Sequence, residues 1–243
     1  MISSLTVVVL TALAAEPSVD AFFADFAAKR EHIQTLSATF RQEEISPDET
    51  RVSGGRIVFV KPKQLLFEYL DPKIIYAIDG LRVFEYEAGL EQVQVNDIED
   101  SPHADAFFIA FDSDPARLRE AYDVSLLDAD PSACGQRVLK LVPKKPASED
   151  DVLSQPYTEI RLYLRLEDML PCRIQAFGED DSSVIVDIDH YKINAERSNA
   201  AIRFHVPEGT KIIVNEANAV IAGPGGKDLP EPPAAAETKP TGK

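Results

Sequence analysis

Between residues 37 and 95, apolar and polar residues alternate with a period of two, in short segments separated by turn signals. This pattern predicts β-strands, because successive side chains of a strand point to opposite faces of a sheet. The strongest turn signal is Asp79-Gly80, which lies between two apolar runs and is typical of a tight hairpin. Connections this short join antiparallel neighbours. The predicted strands are 37–42, 55–60, 65–70, 74–78, 83–86 and 92–95.

Three short helices are predicted beside these strands. The first begins at Ser18 or Asp20 and repeats apolar residues every three to four positions, the second begins at Pro102, and the third covers 115–122. The apolar positions of the first helix are Phe22, Phe23, Phe26, Ile33 and Leu36. Further strands are predicted at 124–127, 138–142, 157–166, 173–177, 184–191 and 202–206.

This order of elements predicts an α+β fold that is mainly β. A sheet of about ten antiparallel strands curls into a barrel or an unclosed half-barrel. Three short helices are too few to cover such a sheet. We therefore expect them to cover one concave face.

The two ends of the chain differ from its body. Residues 2–15 are uncharged and mostly apolar, with an Ala-x-Ala cleavage site at 12–14, so 1–15 is predicted to be a signal peptide. The alternative is a buried N-terminal strand through 7–9. With no cysteine beside the cleavage site, we expect a soluble periplasmic protein without a lipid anchor. Residues 222–243, rich in Pro, Gly and Ala, are predicted to be a disordered tail, which leaves 16–221 as the folded domain.

The net charge of the chain limits the kinds of partner that it can bind. Lys+Arg number 25 and Asp+Glu 41, a formal net charge of −16. Long-range repulsion then disfavours nucleic acids and anionic lipid headgroups. No apolar run reaches the ~20 residues that a transmembrane helix needs.

The two cysteines, Cys134 and Cys172, favour a disulfide in an exported protein. The predicted strands argue against one. Both cysteines would begin strands that are separated by an intervening strand, at roughly 9.5 Å, beyond the ~7 Å limit between the Cα atoms of a disulfide. A loop at Cys134 that leaves the sheet would still permit the bond.

No sequence motif indicates an enzyme, a metal or a cofactor. The histidines lack metal-ligand spacing, and hydrolase, metalloprotease and phosphate-loop motifs are missing. Asp187 and Asp189, next to His190, are a conceivable hydrolytic pair, but a solvated strand face explains them better.

Several segments resemble the outer-membrane lipoprotein carrier family, the LolA-like proteins, in order from about residue 19 to 214. The matching features are Gly55, Lys61-Pro62, Phe67-Glu68-Tyr69, Asp79-Gly80, Tyr86, 90–93, 35–42, Leu170-Pro171 and 204–209. The resemblance implies a half-barrel with a three-helix lid over a hydrophobic cavity that holds the acyl chains of lipoproteins. It also implies transfer from an inner-membrane ABC transporter to an outer-membrane receptor, by a monomer and without a cofactor.

Strand parity and this resemblance together define a candidate site. The expected cavity residues are Val58, Leu65, Phe67, Tyr69, Tyr76, Ile78, Phe84 and Tyr86. The expected lid residues are Phe22, Phe26, Phe107, Phe108 and Phe111. In the family an arginine before the proline is expected to connect the lid to the barrel through hydrogen bonds. Lys61 occupies that position here, and it keeps the positive charge but lacks the planar guanidinium with its several donors.

Two alternatives to a carrier remain from the sequence. The aromatic residues can simply form the core of a barrel. A lipid-sensing or regulatory binding module could also use the same half-barrel.

Overall fold

The computed structural model describes residues 18–97, 108, 111, 115–129, 134–135, 137–144, 157–178, 180–195, 206–216 and 219–224. The helices in this part of the chain are α1 (Val19–Arg30), the 3₁₀ turn Ala88–Leu90 and α2 (Pro115–Ala121). The first strands are β1 (Thr35–Ile45), β2 (Thr50–Val60), β3 (Gln64–Tyr69), β4 (Ile74–Ile78), β5 (Arg82–Glu87) and β6 (Gln92–Asp97). The later strands are β7 (Tyr122–Leu127), β8 (Arg137–Pro143), β9 (Tyr157–Leu164), β10 (Pro171–Gly178), β11 (Ser183–Ile193), β12 (Lys211–Glu216) and β13 (Ala219–Pro224).

The described strands form one sheet in the order β13-β12-β6-β5-β4-β3-β2-β1-β11-β10-β9-β8-β7. Two antiparallel meanders, β1–β6 and β7–β11, meet where β1 pairs with β11. The outermost strands, β13 and β7, are not neighbours, so the described sheet stays unclosed. The predicted mainly-β, unclosed antiparallel sheet is therefore confirmed, with one exception: β12 pairs with β6 in parallel.

Helix α1 is shorter than the apolar repeat predicted. The Ser18 hydroxyl caps it by accepting a hydrogen bond from the Ala21 N–H at 3.2 Å. Lys29 and Arg30 lie in its last turn, where positive charge is favourable. The helix ends at Arg30, so Ile33 lies in the connection and Leu36 in β1, although both are fully buried.

The predicted three-helix lid is not supported, because the described residues contain only α1 and α2 as α-helices. Most of the second predicted helix lies outside the described residues, Phe107 included. Phe108 and Phe111 are described and buried, and the Phe111 N–H donates to the Phe108 carbonyl at 2.8 Å.

The C-terminal part differs from the predicted strand at 202–206. Residues 202–205 lie outside the described residues, and Val206 precedes a turn rather than lying in a strand. Strands β12 and β13 follow instead, and β13 includes the first three residues, 222–224, of the predicted tail. Residues 1–17 and 225–243 lie outside the described part of the chain, so the signal peptide and the rest of the tail stay predictions.

Cys134 and Cys172 form a disulfide with their Cα atoms 6.0 Å apart, so the strand argument against pairing was wrong. Cys134 does not begin a strand, since β8 begins at Arg137. Gly135 is buried against β9, where an added Cβ would lie 2.7 Å from the carbonyl carbon of Tyr163. Because Gly135 has no side chain, this segment passes closely over β9 and reaches Cys172 in β10.

Removing this disulfide is expected to destabilise the protein by about 2–4 kcal/mol, because a bond between residues 38 positions apart restricts the unfolded chain. The variant is Cys134→Ala with Cys172→Ala, and the measurement is urea unfolding. Unmodified protein in reducing agent should match the variant. Equal stability of oxidised protein and variant would contradict the prediction.

Candidate functional site

The sheet formed by β1–β6 carries apolar residues on both faces. The inner face packs against α1 and includes Phe40, Ile57, Phe59, Leu65 and Ile78. The outer face carries a second buried cluster that includes Leu66, Ile75, Val93, Val95 and Ile212. A strand with one polar and one apolar face is the usual arrangement, so two apolar faces make side-chain direction hard to predict from parity.

Five of the eight expected cavity residues lie in or against the inner cluster: Leu65, Phe67, Tyr69, Tyr76 and Ile78. The other three, Val58, Phe84 and Tyr86, belong to the outer cluster, so their placement on the cavity face is wrong. The register explains the error. Phe84 lies opposite Ala77, whereas Glu85 lies opposite Tyr76 and shares its face. In β2, Ile57 lies opposite Phe67 and takes the inner position beside Val58.

The expected lid residues that the structure describes cover the inner face. Phe22, Phe26, Phe108 and Phe111 all belong to the inner cluster, and Phe111 is 1% exposed. Phe23 joins them, a residue that the lid prediction had omitted, although its place in the apolar repeat of α1 could have identified it. A short helix and an adjacent turn thus bury the inner face with phenylalanine side chains.

Polar contacts connect α1 to the segment between β9 and β10 and to α2. At its C-terminal end the Lys29 ammonium donates to the Leu166 carbonyl at 2.6 Å, and the Arg30 guanidinium donates to the Met169 carbonyl. At its N-terminal end Arg119 of α2 pairs with Asp20 at 2.5 Å. The Arg119 guanidinium also lies 4.9 Å from the ring centroid of Phe23.

Lys61 contacts α1 directly. Its ammonium donates to the carbonyl of Arg30, the last residue of the helix, at 3.2 Å. Its backbone N–H donates to the Gln34 carbonyl at 2.8 Å. A cation at a helix C-terminus compensates unpaired carbonyls and the helix dipole. The structure therefore places the residue that was expected to gate the lid beside the last turn of α1.

Six aromatic rings follow one another along the inner face. Phe111 lies 6.2 Å from Phe59 and 6.5 Å from Phe67, measured between ring centroids. Phe40 lies 5.9 Å from Phe67 and 4.9 Å from Tyr69. Tyr76 continues the series 6.0 Å from Tyr69. We call these six residues, Phe111, Phe59, Phe67, Phe40, Tyr69 and Tyr76, the aromatic track.

The far end of the aromatic track is polar. The Tyr69 hydroxyl donates to Gln42 Oε1 at 2.9 Å, and the Gln42 amide donates to Glu44 at 2.6 Å. The Tyr76 hydroxyl bonds Glu85 Oε1 at 3.0 Å. An open cleft of about 400 Å³, lined by Glu44, Tyr157 and the ends of neighbouring hairpins, lies at this end. Arg51 and Glu49, paired at 2.8 Å, also line this cleft. The inner face is thus apolar beneath α1 and polar at the other end.

Burial raises the pKa of Tyr69 to about 12, and the negative charge of Glu44 contributes to the shift. Burial also raises the pKa of Tyr76, with Glu85 as the next cause. The pKa of Tyr157 is raised by burial and then by Glu44. The phenols at this end of the track therefore stay neutral at physiological pH and keep their hydrogen-bonding hydroxyls.

The described residues do not group the candidate hydrolytic side chains into a catalytic arrangement. Asp187 is paired with Arg173 through contacts of 2.6 and 3.0 Å. Asp189 and His190 are exposed, and His190 Nδ1 lies 3.0 Å from the Thr39 hydroxyl. No group of three or more metal-ligating side chains occurs among the described residues.

Among the helices in the described ranges, none is long and apolar enough to cross a membrane.

The fold is that of a curled, unclosed sheet partly covered by helices. It is similar to the crystal structure of an uncharacterized conserved protein from Thermus thermophilus, with a TM-score of 0.52 and 13% identity, over 82% of this chain and 99% of that chain. Residues 31–204 match the family described as outer membrane lipoprotein carrier protein LolA. The chain belongs to this family.

Other solved structures are more distant. A LolA superfamily protein from Nitrosomonas europaea shows 14% identity and a TM-score of 0.41, over 72% of this chain and 95% of that chain. The MucA/MucB complex of Pseudomonas aeruginosa shows 17% identity and a TM-score of 0.43, over 84% of this chain and 72% of that chain. No curated protein sequence matches this chain.

Proposed function

We propose that this protein is a soluble periplasmic carrier that binds the acyl chains of lipoproteins on its inner face and moves them from the inner to the outer membrane. The observation that carries the proposal is an aromatic inner face beneath a short helix, in a chain of the lipoprotein carrier family. The predicted signal peptide 1–15 agrees with export. An inner-membrane ABC transporter and an outer-membrane receptor are the proposed partners.

The physical need for a carrier follows from the hydrophobic effect. Each methylene group that leaves a membrane for water costs ~0.8 kcal/mol, so a sixteen-carbon chain costs on the order of 12 kcal/mol. A carrier must replace most of that free energy and still release its cargo. An aromatic face supplies the apolar surface, and no covalent step or cofactor is required.

In this proposal α1 and Phe111 occupy the inner face when cargo is absent and move aside when acyl chains enter. Phenylalanine side chains then exchange one apolar contact for another, which keeps the empty and loaded states close in free energy. Besides its buried phenylalanines, α1 is held by polar contacts at its ends, and the one from Lys61 is among them. Lys61 would thus contribute to the closed position, in the role that the family arginine is expected to have.

Co-expression with a lipoprotein and native mass spectrometry of the soluble fraction test the proposal. We expect a complex that contains the acylated lipoprotein. The matched control is the same lipoprotein with its acylated cysteine replaced by alanine, which should not bind. Retention of the lipoprotein on the inner membrane without a soluble complex would contradict the carrier, and co-purified free lipid alone would favour the sensing module.

A further inference from the structure

Residues 165–170, between β9 and β10, hold the C-terminal end of α1, and we call them the anchor turn. The Leu166 carbonyl accepts a hydrogen bond from the Lys29 ammonium at 2.6 Å. The Met169 carbonyl accepts one from the guanidinium of Arg30, a residue that is 3% exposed. Met169 also belongs to the inner cluster, together with the phenylalanines of α1. The anchor turn therefore contacts the covering helix through both polar and apolar groups.

Internal bonds make the anchor turn a single unit. The Arg165 N–H donates to the Leu170 carbonyl, and the Met169 N–H donates to the Arg165 carbonyl, both at 3.0 Å. Asp168 accepts from the Leu170 N–H at 3.0 Å and is paired with the Arg165 guanidinium. Because the turn is bonded within itself, a displacement at its base would carry along both carbonyls that hold α1.

The base of the anchor turn is an irregular part of the sheet. The pairing of β9 with β10 shifts register between Pro171 and Arg173, so Cys172 lies in a β-bulge. Pro171 has no N–H to donate to the strand pairing. This point is fixed by a hydrogen bond from the Tyr191 hydroxyl to the Pro171 carbonyl at 2.6 Å, and by the disulfide to Cys134. The disulfide is thus a covalent link at a weak point of the strand pairing.

The disulfide can be reached from solvent, since Cys134 is exposed while Cys172 is half-buried. A dithiol reductant can therefore attack at Cys134 by thiol–disulfide exchange. In the complete reaction the S–S bond breaks and the two cysteines take up two electrons and two protons to become thiols. The dithiol loses the same two electrons and two protons and becomes a cyclic disulfide.

We propose that the Cys134–Cys172 disulfide controls how firmly α1 covers the inner face. Reduction frees the bulge, loosens the anchor turn and increases the fraction of molecules in which α1 has left the inner face. The consequence for ligands rests on the proposed function, since it assumes that the uncovered aromatic track takes up hydrocarbon. A ligand that binds only the uncovered state then binds more tightly in proportion to the fraction of that state.

Hydrogen exchange measured by mass spectrometry tests the loosening of α1 without a ligand. Oxidised protein is compared with protein treated with dithiothreitol, at early times before the amides of β4 exchange. Reduction should accelerate exchange in α1 and in the anchor turn by about tenfold or more, and should leave β4 unchanged over the same interval. Unchanged exchange in α1, or equal acceleration in β4, which would indicate a general loss of stability, overturns the inference.

Lys29→Ala with Arg30→Met removes the two side chains that connect α1 to the anchor turn, while methionine keeps an apolar stem. In this double variant reduction should no longer accelerate exchange in α1, and a full response would overturn the inference. Lys29→Ala alone keeps the buried Arg30 and should show a reduced response. Lys192→Ala, at an exposed position of β11, is the control and should keep the full response.

Binding of a fluorescent diacyl lipopeptide separates this inference from the proposed function. Reduced protein, with folding checked by circular dichroism, should bind the lipopeptide about tenfold more tightly than oxidised protein, and the double variant should bind equally in both forms. Equal affinity of oxidised and reduced unmodified protein overturns the inference while the carrier proposal stands. Absence of binding in both forms contradicts the carrier proposal, and hydrogen exchange alone then decides whether the disulfide controls α1.

Discussion

Phe67→Glu is expected to weaken binding of an acylated lipopeptide more than about a hundredfold. Phe67 lies on the inner face, with its ring between those of Phe40 and Phe111. A carboxylate at this position would face hydrocarbon without a partner, at a cost of about 3 kcal/mol or more. Equilibrium binding of a fluorescent diacyl lipopeptide measures the effect, and thermal unfolding shows whether the variant remains folded.

Phe84→Glu is the matched control, because Phe84 is also a half-buried phenylalanine of the same meander but belongs to the outer cluster. The new carboxylate would lie near Arg82, whose guanidinium is 5.4 Å from the Phe84 ring centroid. We expect near-normal binding for this variant. If Phe84→Glu abolished binding and Phe67→Glu did not, the ligand would lie on the outer face.

Gly55→Ala is expected to destabilise the protein by about 3 kcal/mol or more, a large fraction of the ~5–15 kcal/mol that stabilises an ordinary domain. An added Cβ at this position would lie 1.9 Å from the Glu68 carbonyl oxygen and 3.0 Å from the Phe40 ring. The Glu68 carbonyl belongs to β3, which pairs with β2 and β4, so this backbone oxygen cannot move away without disturbing the register. Soluble yield and urea unfolding measure the effect.

Gly89→Ala provides the control, since no atom lies within 4 Å of a Cβ added there. We expect its stability to match that of the unmodified protein within about 0.5 kcal/mol. A Gly55→Ala protein that unfolds at the same urea concentration as Gly89→Ala would show that β1, β2 and β3 do not approach as closely as described.

Local sequence patterns were enough to predict the antiparallel part of the fold. Alternation and turn residues such as Asp79-Gly80 indicate which strands pair when those strands follow one another in the sequence. The meander β2–β6 could therefore be predicted. Strand β12 could not, because it joins β6 in parallel after a long connection that leaves no turn signal. The same limit applies to the disulfide, which depends on the close approach of Gly135 to β9.

The direction of side chains could be predicted where one face of a strand is clearly apolar and the other polar. In β3, Phe67 and Tyr69 flank Glu68, and both aromatic residues lie on the inner face as expected. In β5 the same argument failed, because the outer cluster buries Phe84 and Tyr86 while Glu85 turns inward to Tyr76. When apolar residues are buried on both faces of a strand, no polar residue marks the solvent side. Alternation along the strand then cannot show which side chains point inward.

The most direct test of hydrocarbon binding on the inner face is photo-crosslinking with a diacyl lipopeptide that carries a diazirine near the end of one acyl chain. Crosslinked residues are identified by fragmentation mass spectrometry. We predict labels on inner-face residues such as Phe59, Leu65 and Phe67, with competition by unlabelled lipopeptide. Labels confined to Val58, Leu66 and Tyr86 of the outer cluster, or labelling without competition, would contradict the account.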